Sequence, residues 1–236
     1  YKRYYPAGEV AAHIVGFSNI DEKGQEGLEL AYEDWLQGVP GKKKVLKDGA
    51  GNIIKDLALV KDAEPGKDLR LTVDMRLQYL AYRELKAVVE AHKAKAGSVV
   101  MLDAKNGDIL AMANQPSYNP NNRKNIVPVS TRNRAVTDLF EPGSTMKPLT
   151  VAAALETGRY TAGTSINTSP GYLRIGRKNI RDHHNYGSID VSTVIAKSSN
   201  VGTSKIALDI TGDVLWDMYY RLGFGQSRGI YSVDIQ

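Results

Sequence analysis

Between Asp74 and Ala113 the chain sets out a helix, a strand, a tight turn and a second strand in immediate succession, and this narrows the folds open to it more than any other stretch. Asp74 is a capping residue, able to accept a hydrogen bond from the open end of a helix. After it, Leu77, Tyr79, Leu80, Leu85, Val88 and Val89 supply an apolar stripe, which predicts a helix from Met75 to about His92. Residues 97–103 form a near-continuous apolar run and read as a strand buried on both faces. Asn106-Gly107 supplies the positive φ angles of a two-residue hairpin turn, and residues 109–113 return as the antiparallel partner. Residues 68–73 alternate like a further strand. A helix laid against antiparallel strands is the opening of an α+β domain.

The residues before this block have a different texture. Glycines divide the first 66 residues into short pieces, and residues 26–36 give the one clear helix, with Leu28, Tyr32, Trp35 and Leu36 at helical spacing. Residues 44–46 and 52–54 read as a hairpin, and Glu64-Pro65-Gly66 as a turn and domain boundary. Residues 115–134 are polar and rich in Pro and Asn, so they are expected to be a long loop, mobile or bordering a cleft.

Of the 236 residues none is Cys, which excludes disulfides, thiolate metal sites and a Cys nucleophile. The net charge of +5 is spread along the chain; its densest run, Lys42-Lys43-Lys44, reads as a solvated loop rather than a nucleic-acid site, and an anionic membrane surface nearby would suit the same balance. The apolar stretch from Leu149 to Leu155 falls far short of the ~20 residues that span a bilayer, so any membrane anchor is expected upstream. His183-His184 has no matching ligand set and reads as surface histidine, and Asp103 and Asp108 read as turn residues.

The chemistry concentrates around Ser144. Pro142-Gly143 forces a turn, Ser144 follows, and then Met146, Leu149 and residues 151–155 make a helix apolar nearly all round, expected to be buried. Pro148 is tolerated in the first turn. Lys147 lies three residues after Ser144, on the same face one turn on. A lysine amine beside a serine hydroxyl can take its proton if burial lowers the amine's pKa. A lone Ser-x-x-Lys is a cheap pattern; here its setting, between a turn and a core helix, gives it meaning. A second element follows 54 residues later: Ser198-Ser199-Asn200, expected in a short loop between helices at 191–197 and 202–210. Two other Ser-x-Asn matches, Ser117 to Asn119 and Ser165 to Asn167, lack that setting.

Together these motifs resemble the penicillin-recognising serine transferases. The wider set resembles the septal class B penicillin-binding proteins of Gram-negative bacteria, from Tyr1 to about Gly225: residues 3–10, 26–29, Asp74-x-Arg76-Leu77-Gln78, residues 115–122, Glu141 to Ser144 and residues 197–202. The resemblance implies the α+β transpeptidase fold, an antiparallel sheet with helices on both faces, here incomplete. It assigns residues 1–66 to the C-terminal part of a pedestal (dimerisation-type) domain and residues 67–236 to the N-terminal part of the transpeptidase domain. It implies a peptidoglycan D,D-transpeptidase, with Ser144 as nucleophile, Lys147 as its base, Ser198 relaying a proton to the leaving amine and Asn200 orienting Lys147 and a substrate amide. It implies no metal or organic cofactor. The implied partners are peptidoglycan stem peptides ending in D-Ala-D-Ala, β-lactam antibiotics and membrane proteins of the division machinery, with no nucleic acid, at the periplasmic face of the inner membrane. A non-catalytic scaffold of that machinery is the alternative; a β-lactamase or sensor fits less well, because of the pedestal segment and the lack of a deacylating Glu loop. One departure is plain: the family's third motif, Lys-Thr/Ser-Gly, does not occur in the chain, and residues 227–236 do not continue the family pattern smoothly. A truncation or a joining of distant stretches is therefore expected.

Overall fold

Asp74 caps the long helix as its position predicts: its Oδ1 accepts from the Arg76 backbone N–H at 2.8 Å, and the helix runs Met75–Ala91. The computed structural model describes residues 3–124 and 126–226. Contacts gather these residues into two units, one ending at Asp138 and the other beginning at Leu139. The expectation about residues 227–236 lies outside the described residues.

In the first unit the Met75–Ala91 helix packs through Ala81 and Leu85 onto the antiparallel pair Gly97–Leu102 and Ile109–Gln115, meeting Ala111 and Ala113. The first strand of that pair is not buried on both faces, as its apolar run suggested. Side chains alternate across a strand: Val99 and Met101 face the helix, whereas Val100 and Leu102 are 45% and 56% exposed. The turn also differs from the two-residue form. It spans residues 103–108, closed by Asp103 N–H to Asp108 O at 2.9 Å, and of its residues only Gly107 has a positive φ, +81°. Asn106 instead uses its side chain, accepting from Asp108 N–H at 3.0 Å.

Residues 68–73 do not pair as a strand. They approach the outer edge of Ile109–Gln115, but that edge is satisfied piecemeal. Thr72 Oγ1 donates to Ile109 O at 2.7 Å and Asp74 N–H to Leu110 O at 3.0 Å. The fully buried Gln78 amide serves Met112 like a peptide group of a neighbouring strand: its Oε1 accepts from Met112 N–H at 2.7 Å and its Nε2 donates to Met112 O at 2.9 Å. The expected single helix over 26–36 breaks at Tyr32 into Gly27–Ala31 and Glu33–Leu36, and Glu33 turns back to accept from Gly24 N–H at 2.5 Å. The hairpin is longer than its sequence signal, Lys42–Lys47 against Ile53–Lys61, so the lysine run lies in an exposed strand rather than a loop.

Residues 115–134 are fastened to the beginning of the chain. Asn121 brackets Tyr5, accepting from its N–H at 2.9 Å and donating to its carbonyl at 2.8 Å. The Tyr118 hydroxyl donates to Ala12 O at 2.9 Å, and His13 Nε2 lies 2.8 Å from Ser130 O. The polar composition that argues for a long loop, mobile or bordering a cleft, supplies side-chain amides and hydroxyls that replace a sheet's ladder. These bonds, with Gln78 Nε2 to Val10 O at 2.7 Å, cross the turn at Gly66.

The second unit is a helical cluster. Lys147–Glu156, Val191–Ala196, Asn200–Asp209 and Gly212–Arg221 share a core that includes Ala153, Ala154, Val194, Ile206, Ile210 and Met218. Two short antiparallel pairs accompany it, Ser165–Asn167 with Ser188–Asp190 and Tyr172–Ile175 with Lys178–Arg181. The Lys147–Glu156 helix is not buried all round. Thr150, Val151, Ala153 and Ala154 are buried, while Leu155 is 41% exposed. Its neighbours Asn200–Asp209 and Gly212–Arg221 cover one stripe of it.

Candidate active site

The Pro-Gly turn does what its residues require. Gly143 takes φ +59°, and a short 3-10 turn, Gly143–Met146, carries the exposed Ser144. The Lys147 backbone N–H closes on Ser144 O, so the α-helix proper begins at Lys147 rather than at the serine. Lys147 is half-buried, and its side chain crosses to the loop that joins Val191–Ala196 to Asn200–Asp209. There Nζ donates to Ser198 O at 2.5 Å, to Ser198 Oγ at 3.0 Å and to Asn200 Oδ1 at 2.6 Å. Three of the four residues singled out in the sequence are thus in direct contact. Ser144 is joined to them through one turn of backbone; among the described residues its hydroxyl has no hydrogen-bond partner. A nucleophile's bond to its base commonly tightens only when substrate is present.

The lysine's protonation is contested. Burial pushes its ammonium below the ordinary value, and the charge of Asp182 pulls it back up. The three acceptors match the three N–H bonds of an ammonium, which also favours the charged form. Once deprotonated, the amine keeps two donors and gains a lone pair, the form a base requires.

The loop is shaped to present its polar atoms. Ser198 sits at φ +52°, a left-handed conformation that costs a non-glycine residue about 1 kcal/mol or more. It is held there by Ser198 N–H to Ile195 O at 2.9 Å and Ser199 N–H to Val194 O at 2.9 Å. Asn200 is the first residue of its helix and its amide is engaged at both ends, Oδ1 on Lys147 and Nδ2 donating to Arg181 O at 2.7 Å. Ser199 is fully buried, caps the helix by accepting from Gly202 N–H at 2.8 Å, and donates to Asp182 Oδ2 at 2.7 Å. Asp182 Oδ1 also accepts from Val201 N–H at 3.0 Å. Gly202 has to be glycine: a Cβ there would lie 2.7 Å from Val194 Cγ2.

Ser199 and Gly202 lie within the stretch the sequence marks out but carry no predicted role there, and Asp182 lies outside it. Asp182 gave no signal, because it belongs to no spacing pattern and meets the loop only through the approach of the Lys178–Arg181 strand. Of the other Ser-x-Asn matches, Ser165–Asn167 is a paired strand whose Asn167 Oδ1 accepts from Ser169 N–H at 2.8 Å, and Ser117 donates to Glu9 O at 3.1 Å. His183 and His184 are exposed, and among the described residues no three His, Cys, Asp or Glu side chains could hold a metal ion.

The penicillin-binding-protein transpeptidase domain matches residues 97–233, and the penicillin-binding-protein dimerisation domain matches residues 1–71. A probable peptidoglycan D,D-transpeptidase PenA of Neisseria meningitidis is 48% identical over 95% of this chain and 39% of its own length. The peptidoglycan D,D-transpeptidase FtsI of Escherichia coli is 44% identical over 97% of this chain and 38% of its own length. The chain therefore spans about two fifths of the length of the curated relatives it matches. Among solved structures, penicillin-binding protein 3 of Mycobacterium tuberculosis in complex with aztreonam superposes with a TM-score of 0.78 at 28% identity, covering 95% of this chain and 47% of that one.

Proposed function

The chain belongs to the penicillin-binding-protein transpeptidase family, and from that premise we propose that the protein is a serine D,D-transpeptidase that cross-links peptidoglycan stem peptides during septal wall synthesis. The observation that carries this reading is the Lys147 amine, drawn down by burial, held by Ser198 and Asn200, and fixed one helical turn from the exposed Ser144. Neutral Lys147 takes the Ser144 proton as Oγ attacks the carbonyl of the penultimate D-Ala. The peptide C–N bond breaks, and the Ser198 hydroxyl passes a proton from Lys147 to the departing D-Ala amine. An amine of a second stem peptide then attacks the ester, gives up its proton along the same path, and frees Ser144. Asn200 keeps Lys147 in line and has the chemistry to meet a substrate amide. Every step is acyl transfer between side chains and substrate, which the hydroxyl and amine groups present can carry out.

β-Lactams, by the same reading, acylate Ser144. Residues 1–66 are proposed as pedestal, residues 67–236 as transpeptidase domain, and the site as facing the periplasm beside the division machinery. No described helix is long and apolar enough to cross a membrane. The test is a transpeptidation assay on the full-length encoded protein with a pentapeptide donor and an amine acceptor. D-Ala release should match cross-link formation, and Ser144→Ala should abolish both. Release that persists in Ser144→Ala removes the assignment.

A further inference from the structure

The Ser198–Asn200 loop hangs on two consecutive residues outside it. Arg181 offers its carbonyl to Asn200 Nδ2 at 2.7 Å. Asp182 spends both carboxylate oxygens on the loop, Oδ2 accepting from the buried Ser199 hydroxyl at 2.7 Å and Oδ1 from Val201 N–H at 3.0 Å. Ser198 and Asn200, the residues flanking Ser199, are the two that hold Lys147 Nζ. We propose that Asp182 is a positioning residue for acyl transfer, acting on Lys147 both through the Ser198–Asn200 loop and through its negative charge. This rests on the reading of Ser144 and Lys147 as nucleophile and base.

The two actions are separable. The geometric one sets where the loop's carbonyl, hydroxyl and amide stand. Without the carboxylate, Ser199 loses its acceptor and Val201 N–H its partner, and the Arg181 carbonyl is left holding Asn200 to the strand. The electrostatic one sets when the amine becomes a base. Burial disfavours the Lys147 ammonium and Asp182 is the charged group that favours it. Arg181, His183 and Lys197 beside the loop are exposed, as are Glu141 and Glu156 on either side of Lys147 and Asp209, Asp213, Asp217 and Arg221 on the helices packed against it, while Lys205 and Tyr219 there bond to Asn167 O and Thr150 Oγ1. Removing the carboxylate's charge therefore moves the deprotonation of Lys147 to lower pH.

Asparagine at 182 separates shape from charge. Its Oδ1 can still accept from Val201 N–H, and its NH₂ can donate to Ser199 Oγ with that bond reversed. Alanine removes shape and charge together. Ser199→Ala cuts the geometric link to Asp182, together with the cap on Gly202 N–H, and leaves the charge. The experiment measures second-order acylation of the full-length protein by a fluorescent penicillin from about pH 6 to about pH 10. In Asp182→Asn the acid limb of the profile should move down by roughly half a pH unit to one unit, with the plateau rate kept within about threefold. Asp182→Ala should show the same displacement and a plateau lowered roughly ten- to hundredfold. Ser199→Ala should lower the plateau and leave the limb in place. A limb at the wild-type position in both Asp182 variants overturns the proposal. The Lys147 amine is titrated in parallel by NMR of ¹³C-lysine-labelled protein, assigned with Lys147→Arg. If the wild type is never acylated but the Lys147 titration still moves in Asp182→Asn, the functional reading fails and the hold of Asp182 on Lys147 stands. A titration that does not move refutes the proposal whatever the acylation result.

Discussion

Replacing Gln78 by Leu should destabilise the first unit by about 2–7 kcal/mol. The side chain is wholly inaccessible and makes three hydrogen bonds to backbone: to Val10 O at 2.7 Å, to Met112 O at 2.9 Å and from Met112 N–H at 2.7 Å. Leucine is close in volume, so the packing changes little and the lost bonds dominate. Each buried group left without a partner costs ~1–3 kcal/mol, and three together roughly 3–9 kcal/mol. The apolar side chain returns ~1–2 kcal/mol through its burial, which leaves the stated figure. Guanidinium unfolding of the full-length protein and its variant gives the difference. Amide exchange at Met112 gives a local reading, since its N–H is held by Gln78 rather than by a strand. A variant within ~0.5 kcal/mol of wild type, with Met112 exchange unchanged, would refute the idea that this amide acts as a surrogate strand.

Gly202→Val should cost more than the ~1–3 kcal/mol of ordinary overpacking and slow acylation, because a Cβ alone lies 2.7 Å from Val194 Cγ2 and 3.0 Å from Ser199 Oγ; normal acylation in a normally stable variant would count against the close approach. Asn200→Asp should raise the Lys147 pKa by placing a carboxylate where an amide accepts its hydrogen bond, and so move acylation to higher pH; an unchanged profile would show that the contact is not made. Burial pushes the His13 imidazole below its ordinary value, so the folded state resists its protonation. Stability from this group is present above the unfolded-state pKa of about 6.5 and is lost as pH falls below it. His13→Asn should flatten that acid-side decline in a set of unfolding curves between about pH 5 and about pH 7.

What could be read in the sequence was whatever rests on local rules. The Asp74 cap, the Pro142-Gly143 turn and the three-residue step from Ser144 to Lys147 follow from spacing and backbone preference, and the structure has them. The helices expected on either side set Ser198 and Asn200 apart from the other two Ser-x-Asn matches, and the structure brings both to Lys147. The misses arise where side chains compete with the backbone or where burial is decided by distant neighbours. Asn106 spent its amide on Asp108 and lengthened the turn. Val100 and Leu102 are as apolar as Val99 and Met101, and only the position of the helix separates them. Asp182 resembles any surface acid until the strand before it brings its carboxylate to Ser199.

The central claim, that Ser144 is an acylated nucleophile served by Lys147, is tested most directly by intact-mass spectrometry of the full-length protein after exposure to a penicillin. The account predicts one adduct per chain, mapped to Ser144, absent in Ser144→Ala and slowed by at least a hundredfold in Lys147→Ala. The absence of any adduct on the full-length protein, as a scaffold role requires, or an adduct that survives Ser144→Ala, would contradict it.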